Sequence, residues 1–161
     1  MKNNNIFLWV GLIILALVLI FVAKNNGPTG DNFVKSVLIS EETFWDFKTI
    51  SMADGNVSHD FVLKNNGSEP IKITKIQTSC MCTNANLLTN DGKVKGPFGM
   101  HESPPVNLEI MPNESVKLQA IFDPNAHGPA GVGIMDRSIY IDTNSSEKPR
   151  LELKFVANVI K

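Results

Sequence analysis

The first hydrophobic feature of the 161-residue chain is an uninterrupted apolar run at its start. Residues 6–23 carry no charge and are flanked by Lys2 and Lys24. A helix of this length is about 27 Å long, enough to cross a thin or slightly compressed hydrocarbon core. A cleaved signal peptide usually has a shorter apolar region ending at small residues, and a buried helix of a soluble domain is rarely apolar on every face. The pattern therefore predicts a transmembrane helix over 6–23, preceded by a short tail over 1–5.

Beyond residue 32 the pattern changes to short segments in which apolar and polar positions alternate. The last segment shows this best, with Leu151, Leu153 and Phe155 on one side and Glu152 and Lys154 on the other. A period of two is typical of a half-buried strand. We predict strands over 33–40, 43–50, 57–64, 71–77, 106–110, 116–122, 138–142 and 151–159. The intervening region 83–105, which is rich in Gly and Pro, is predicted to be a long excursion between strands.

These segments predict an all-β domain. Seven or eight short strands with turn residues between them, and no helical period after residue 23, indicate two packed sheets, a β-sandwich. The polar residues 24–32 contain Gly and Pro and predict a flexible linker. The domain is therefore predicted over 33–161, which is close to the usual size of one domain.

Charge and known motifs exclude several functions. The chain has 15 Lys plus Arg and 16 Asp plus Glu, so no basic field is available to attract phosphates, and we expect no nucleic-acid partner. The sequence has no G-x-S-x-G elbow and no H-E-x-x-H motif, so hydrolase chemistry is disfavoured and no catalytic residues are predicted. Its two cysteines are too few and too close together to be the disulfide framework of a small secreted scaffold.

The Cys80-Met81-Cys82 motif is the strongest candidate for chemistry. In an extended strand both thiols would lie on one face, with Cα atoms about 6.5 to 7 Å apart, so a direct disulfide would need a local bend. A soft metal ion between the thiols would need less distortion. Thiolate, thioether and imidazole ligands suit Cu(I). We therefore predict a metal site, with copper as the candidate cofactor, that draws its ligands from the cysteines and from nearby turn-rich segments. The candidate ligands are Cys80, Cys82, Met100, His101 and His127.

Three alternatives stay open for the cysteine pair. A structural zinc site would have to recruit both cysteines and two histidines, because such sites use four ligands. A thiol redox pair is the second alternative, although redox pairs of the thioredoxin kind use C-x-x-C at a helix N-terminus. In the third, the cysteines have no chemical role and the domain is a structural tether. His59 lies in a strand pattern, which indicates a surface or edge residue rather than a ligand.

The sequence also resembles a known bacterial family, the domain of unknown function 1573. The resemblance is carried by 45–50, 61–67 with 70–71, 78–83, 110–115, 122–124 and 143–144, and it covers roughly 43–161. Its most specific part is Thr78-Ser79-Cys80-Met81-Cys82-Thr83. Two departures lie at turns or strand ends: Lys48 stands where the family often has Gly, and Met111-Pro112-Asn113 replaces a Pro-Gly turn. The resemblance implies an immunoglobulin-like antiparallel β-sandwich of seven to eight strands, related to Hydin modules, exported or membrane-tethered and without an established activity.

Localisation depends on the resemblance more than on charge. Lys2 on one side of the apolar run faces Lys24 and Lys35 on the other, which does not decide the orientation. With the resemblance, we expect a single-pass membrane protein whose C-terminal domain is extracytoplasmic, in the bacterial periplasm or at the cell surface. Its expected partners are the lipid bilayer through 6–23 and another cell-envelope protein bound by loops and strand edges. The expected function is that of a non-enzymatic binding module.

Overall fold

A computed structural model of the chain describes residues 9–10, 12–18, 32–101 and 103–161. Residues 9–10 and 12–18 are helical and exposed. Within the described residues, no helix is long and apolar enough to cross a membrane. The remainder of the predicted span 6–23, the tail and nearly all of the linker 24–32 lie outside the described residues.

The alternating segments after residue 32 form β-strands, ten of them in the part of the chain that is described. The strands are β1 Leu38–Ser40, β2 Phe44–Ser51, β3 Val57–Asn65, β4 Ile71–Thr78, β5 Thr83–Leu88, β6 Val94–Phe98, β7 Leu108–Ile110, β8 Ser115–Phe122, β9 Gly133–Thr143 and β10 Arg150–Ile160. Short 3₁₀ helices cover Met52–Asp54 and Gly128–Gly131. Each of the eight predicted strands overlaps an observed one, so the all-β prediction is confirmed.

The strands form two five-stranded sheets, with the orders β1-β3-β8-β5-β6 and β2-β10-β9-β4-β7. The two-sheet sandwich expected of an immunoglobulin-like domain is thus confirmed, and its strands pair antiparallel except where β2 meets β10. β2 pairs with β10 in parallel, from Phe44 beside Lys154 to Ser51 beside Ile160. Because β1 and β2 belong to different sheets, the chain crosses the sandwich at 41–43, and β2 then runs in the same direction as the C-terminal strand.

The prediction of a long excursion over 83–105 is also wrong. β5 and β6 form an antiparallel pair, closed by a turn in which Thr89 N donates to Lys93 O (2.9 Å) and Gly92 N donates to Thr89 O (3.0 Å). Gly96 and Pro97 interrupt the pattern of β6, yet β6 is an edge strand, where a missing N–H is tolerated. This hairpin adds two strands to the eight predicted ones.

The core lies between the inner faces of the two sheets. In β10, Leu151, Leu153 and Phe155 are buried as their period predicts. The Phe155 ring packs edge-on against Phe47 at 5.4 Å and tilted against Phe122, of the opposite sheet, at 5.5 Å. Among the connections that pass from one sheet to the other are those from β4 to β5 and from β8 to β9. Both carry residues of the candidate site.

His59 has a role that its strand pattern did not indicate. Its ring stacks on Trp45 at 3.8 Å, and its Nε2 lies 2.6 Å from Glu42 Oε2. Since β3 and β2 belong to different sheets, the stacked rings connect the two sheets, and only 16% of the His59 side chain is exposed. His59 is therefore a packing residue between the sheets rather than a surface residue.

Candidate functional site

The two cysteines lie in a tight turn between β4 and β5, just after the strand predicted over 71–77, and the local bend that a direct disulfide would need is present. Thr83 N donates to Cys80 O (3.1 Å), and the buried Thr78 hydroxyl lies 3.0 Å from both Cys80 O and Thr83 O. These hydrogen bonds bend the chain back on itself. As a result the Sγ atoms of Cys80 and Cys82 are 2.6 Å apart.

The sulfur separation places the pair between two chemical states. Both cysteines are free thiols. A disulfide would bring their sulfur atoms to about 2.05 Å. Two sulfur ligands on one ion at metal–sulfur distances of about 2.3 Å would stand about 3.8 Å apart in tetrahedral geometry. Shortening the 2.6 Å separation by about 0.6 Å therefore gives a disulfide, and lengthening it by about 1.2 Å gives the spacing of two metal ligands.

His127 joins the cysteines from the connection between β8 and β9. Asp123 N donates to Cys82 O (2.9 Å), and the Asp123 carboxylate accepts from Asn125 N (2.8 Å), which holds the start of this connection against the cysteine turn. His127 Nε2 lies 3.2 Å from Cys80 Sγ. The three potential ligand atoms of Cys80, Cys82 and His127 all lie within 4.8 Å of one another.

Arg137 of β9 completes the surroundings of the buried sulfur. Its Nε donates to Cys82 Sγ at 3.0 Å, its Nη1 donates to Asp136 O at 2.8 Å, and its Nη2 lies 3.2 Å from Met135 Sδ. The strand is fixed beside the cysteine turn because Ser79 N donates to the Ser138 carbonyl and Ser138 N donates to Ser79 Oγ, both at 2.9 Å. The guanidinium thus has a defined position next to the thiol pair.

Sequence reasoning missed Arg137, although a signal for it exists. Arg137 has the same strand parity as the buried Ile139 and Ile141, so alternation places it on the inner side of β9. A charged residue at an inward position usually has a partner. The predicted strand begins at Ser138, so it leaves out Arg137 by one residue.

The surroundings move the pKa values of the two thiols in opposite directions. Partial burial raises the pKa of Cys80, but hydrogen bonds from Cys82 and from His127, with the nearby charge of Arg137, outweigh it and lower that pKa to about 7. Burial raises the pKa of Cys82, and its donation of a hydrogen bond to Cys80 raises it further, against the opposing effect of Arg137. As pH rises, the thiolate of the pair therefore forms first at Cys80, the more accessible position.

The structure divides the five predicted ligands into two groups. Cys80, Cys82 and His127 come together, whereas Met100 and His101 line a shallow depression of about 230 Å³ that also includes Met81, from the middle of the turn. The segment carrying Met100 is held against β4, with Gln77 Nε2 donating to Met100 O at 2.8 Å. The sequence indicated suitable ligand types but not this division.

Comparison with known proteins supports the predicted resemblance over part of the chain. The family model described as "Protein of unknown function (DUF1573)" matches residues 38–95. The matched part runs from β1 to the start of β6 and includes both cysteines, whereas His127 and Arg137 lie outside it. No curated protein matches the chain.

Solved structures are similar to the chain in fold. A protein of unknown function from Porphyromonas gingivalis W83 has 20% identity and a TM-score of 0.58 over 83% of this chain, and the chain spans about half of that protein, 51%. A family 123 glycoside hydrolase from Clostridium perfringens has 10% identity and a TM-score of 0.52, with 74% of this chain and 23% of that one covered. A PapD-like domain of human CEP192 has 13% identity and a TM-score of 0.48, with 77% and 85% covered. At these identities, the first two likenesses show the β-sandwich and no activity.

Proposed function

We propose that this protein is a non-enzymatic binding module of the cell envelope that holds one Cu(I) ion through Cys80, Cys82 and His127. The observation that carries the proposal is the meeting of two thiol sulfurs and one imidazole nitrogen within 4.8 Å of one another. Thiolate and imidazole are ligands that suit copper, and soft thiolates favour its monovalent form. Structural zinc sites take four ligands, and this group of described residues supplies three.

Local structure supports binding without a large rearrangement. The ligands come from two connections that hydrogen-bond to each other through Asp123 N and Cys82 O. Cys80 is partly exposed and His127 is exposed, which leaves a path for an ion, while Cys82 is 1% exposed and forms the inner end of the site. Because metal ligands must be deprotonated, a Cys80 pKa of about 7 also reduces the competition from protons at neutral pH.

The test is an anaerobic titration of the full-length chain with Cu(I) in competition with a chromophoric chelator, together with native mass spectrometry. We expect one Cu(I) per chain. Replacing His127 by Ala should weaken Cu(I) binding by at least about 10- to 100-fold, which is the loss when a residue that only orients a metal ligand is removed. His101→Ala is the matched control and should leave the affinity unchanged, since His101 is outside the ligand group. No Cu(I) binding by the wild-type chain, or equal losses in the two variants, would contradict the proposal.

We also propose that residues 6–23 anchor this module in the membrane. The support is their sequence, an apolar run free of charge and long enough to span a thin hydrocarbon core. The protein should then stay with membranes through an alkaline carbonate wash, and a chain lacking 1–23 should not. Release of the full-length chain by the wash would overturn the anchor and leave the metal proposal intact.

A second candidate function is thiol–disulfide exchange at the same pair. It is favoured by the 2.6 Å sulfur separation and by the difference in exposure between the two cysteines. In this reaction the Cys80 thiolate attacks a disulfide of a partner protein and forms a mixed disulfide, releasing one partner thiolate. Cys82 then gives up its proton, its sulfur attacks Cys80, and the second partner thiolate leaves. The pair loses two electrons and the Cys82 proton, and the partner disulfide gains them and becomes one thiolate and one thiol.

The pH dependence of alkylation tests whether Cys80 has the lowered pKa that a nucleophilic thiol needs. In the metal-free chain, the rate of Cys80 alkylation by iodoacetamide should rise with pH and reach half its maximum near pH 7, because the Cys80 thiolate is stabilised, whereas an ordinary thiol does so near about pH 8.5. Peptide mass spectrometry separates Cys80 from Cys82, which should react more slowly. A half-rise near or above pH 8.5 would contradict the expectation.

Trapping of the mixed disulfide tests the exchange reaction itself. In a Cys82→Ser chain the second step cannot occur, so the mixed disulfide between Cys80 and a model disulfide should accumulate. A Cys82→Ser chain that traps no mixed disulfide would remove the redox candidate.

A further inference from the structure

Arg137 introduces a permanent positive charge next to the proposed ligands. Its Nε is 3.0 Å from Cys82 Sγ, which is a direct contact with a ligand atom. A guanidinium in a protein stays protonated around neutral pH and well above it. A cation beside a cation site opposes metal binding in general, so the position of Arg137 needs a reason other than overall affinity.

The charges of the ligand set supply that reason. Two thiolates carry a charge of −2 and neutral His127 carries none, so the complex with a monovalent ion has a charge of −1 and the complex with a divalent ion has none. Arg137 neutralises the first complex and leaves an uncompensated positive charge beside the second. Cys82 and the inner part of the site are buried, so this difference is poorly screened by solvent.

We infer that Arg137 makes the dithiol site selective for monovalent soft cations, of the Cu(I) and Ag(I) class, over divalent cations such as Zn(II). The inference depends on the proposed metal-binding function and adds the residue that decides which ions are accepted. Arg137 acts through Cys82 and the field at the site and is therefore a specificity-determining residue rather than a ligand.

The geometry favours this role over one in packing alone. Asp136 O and Met135 Sδ hold the two terminal nitrogens of Arg137, which leaves Nε directed at the sulfur. The backbone bonds between Ser79 and Ser138 hold the strand beside the cysteine turn. The charge is thus held in place before an ion arrives, which is the condition under which a fixed charge discriminates between ligands.

The experiment compares Cu(I) and Zn(II) affinities for the wild-type chain, Arg137→Gln and Arg137→Lys. Each ion is measured in competition with a chelator of known affinity, and thermal unfolding verifies that the variants are folded. Loss of the arginine also raises the thiol pKa values, but both ions displace the same protons, so this effect cancels in the ratio of the two affinities. In Arg137→Gln the Cu(I)/Zn(II) ratio should fall about 10- to 100-fold, the range for one unit charge a few ångströms from another at a partly exposed site. Arg137→Lys keeps the charge and should keep the ratio within about threefold of the wild type.

The outcomes separate this inference from the function on which it rests. An unchanged ratio in Arg137→Gln, or an equal fall in Arg137→Lys, would overturn the selectivity role while leaving Cu(I) binding in place. A purely structural role would lower both affinities together and leave the ratio unchanged. A wild-type chain that binds Zn(II) and not Cu(I) would overturn the proposed function and the inference with it.

Discussion

Replacing either Cys80 or Cys82 by Ser is expected to lower the Cu(I) affinity of the protein about 100- to 1000-fold. Structural zinc sites bind with apparent free energies of about 10 to 16 kcal/mol through four ligands, or about 2.5 to 4 kcal/mol for each ligand. A serine hydroxyl remains neutral and is a harder donor than a thiolate, so it does not replace the lost sulfur. The competition titration used for the wild-type chain measures both variants.

Met81→Leu is the matched control for the cysteine variants. Met81 lies between the two cysteines and is 65% exposed, and its side chain lines the depression shared with Met100 rather than the thiol site. Leu has a similar volume and lacks the sulfur, so the turn should be retained and the affinity unchanged. Wild-type affinity in Cys80→Ser or Cys82→Ser would place the ion elsewhere. A large loss in Met81→Leu would show that the ligand group extends into the depression.

Phe155→Ala is expected to lower the free energy of unfolding of the sandwich by about 3 to 5 kcal/mol. Phe155 has no exposed surface and contacts Phe47 in its own sheet and Phe122 in the opposite one. Its removal leaves a cavity between the sheets as well as lost apolar contacts, and both effects destabilise the fold. Urea unfolding followed by tryptophan fluorescence measures the change, since Trp45 lies in β2 beside β10.

Val156→Ala supplies the comparison for the core variant. Val156 is the next residue of β10 and belongs to the opposite, partly exposed face, so its truncation should cost less than about 1 kcal/mol. Both variants should retain strand β10. They differ in whether apolar atoms are removed from its buried face or from its partly exposed face. Equal losses from the two variants would mean that the packing between the sheets does not dominate stability.

The fold could be predicted wherever one face of a strand is buried and the other is in water. In β10 and β8 the side-chain alternation is unbroken, and the predicted segments agree with the observed strands. The β5–β6 hairpin was missed because Gly96 and Pro97 interrupt the alternation in an edge strand, where the usual penalties for these residues are small. The parallel pairing of β2 with β10 was missed because the relative direction of two strands depends on where the chain changes sheets. The alternation of apolar and polar side chains carries no information about that.

The candidate site was predictable in its chemistry and not in its geometry. The spacing of Cys80 and Cys82 identified a local pair, and the choice of His127 as a ligand followed from residue type. The sequence did not show the conformation at the pair, because side-chain pattern carries no record of hydrogen bonds such as those of Thr78 to Cys80 O and Thr83 O. These bonds create the turn that brings the sulfurs together.

By itself, the amino-acid sequence determined that the chain has an N-terminal apolar run, an alternating β-domain and one pair of sulfur ligands, because these properties depend on neighbouring residues. Only the tertiary structure decided that His127, 47 residues from Cys80, and Arg137, 55 residues from Cys82, share one site, while Met100 and His101 lie in another depression. The reason is physical: contacts between distant residues are set by which strands pair and where connections cross the core, and those are properties of the packed domain as a whole.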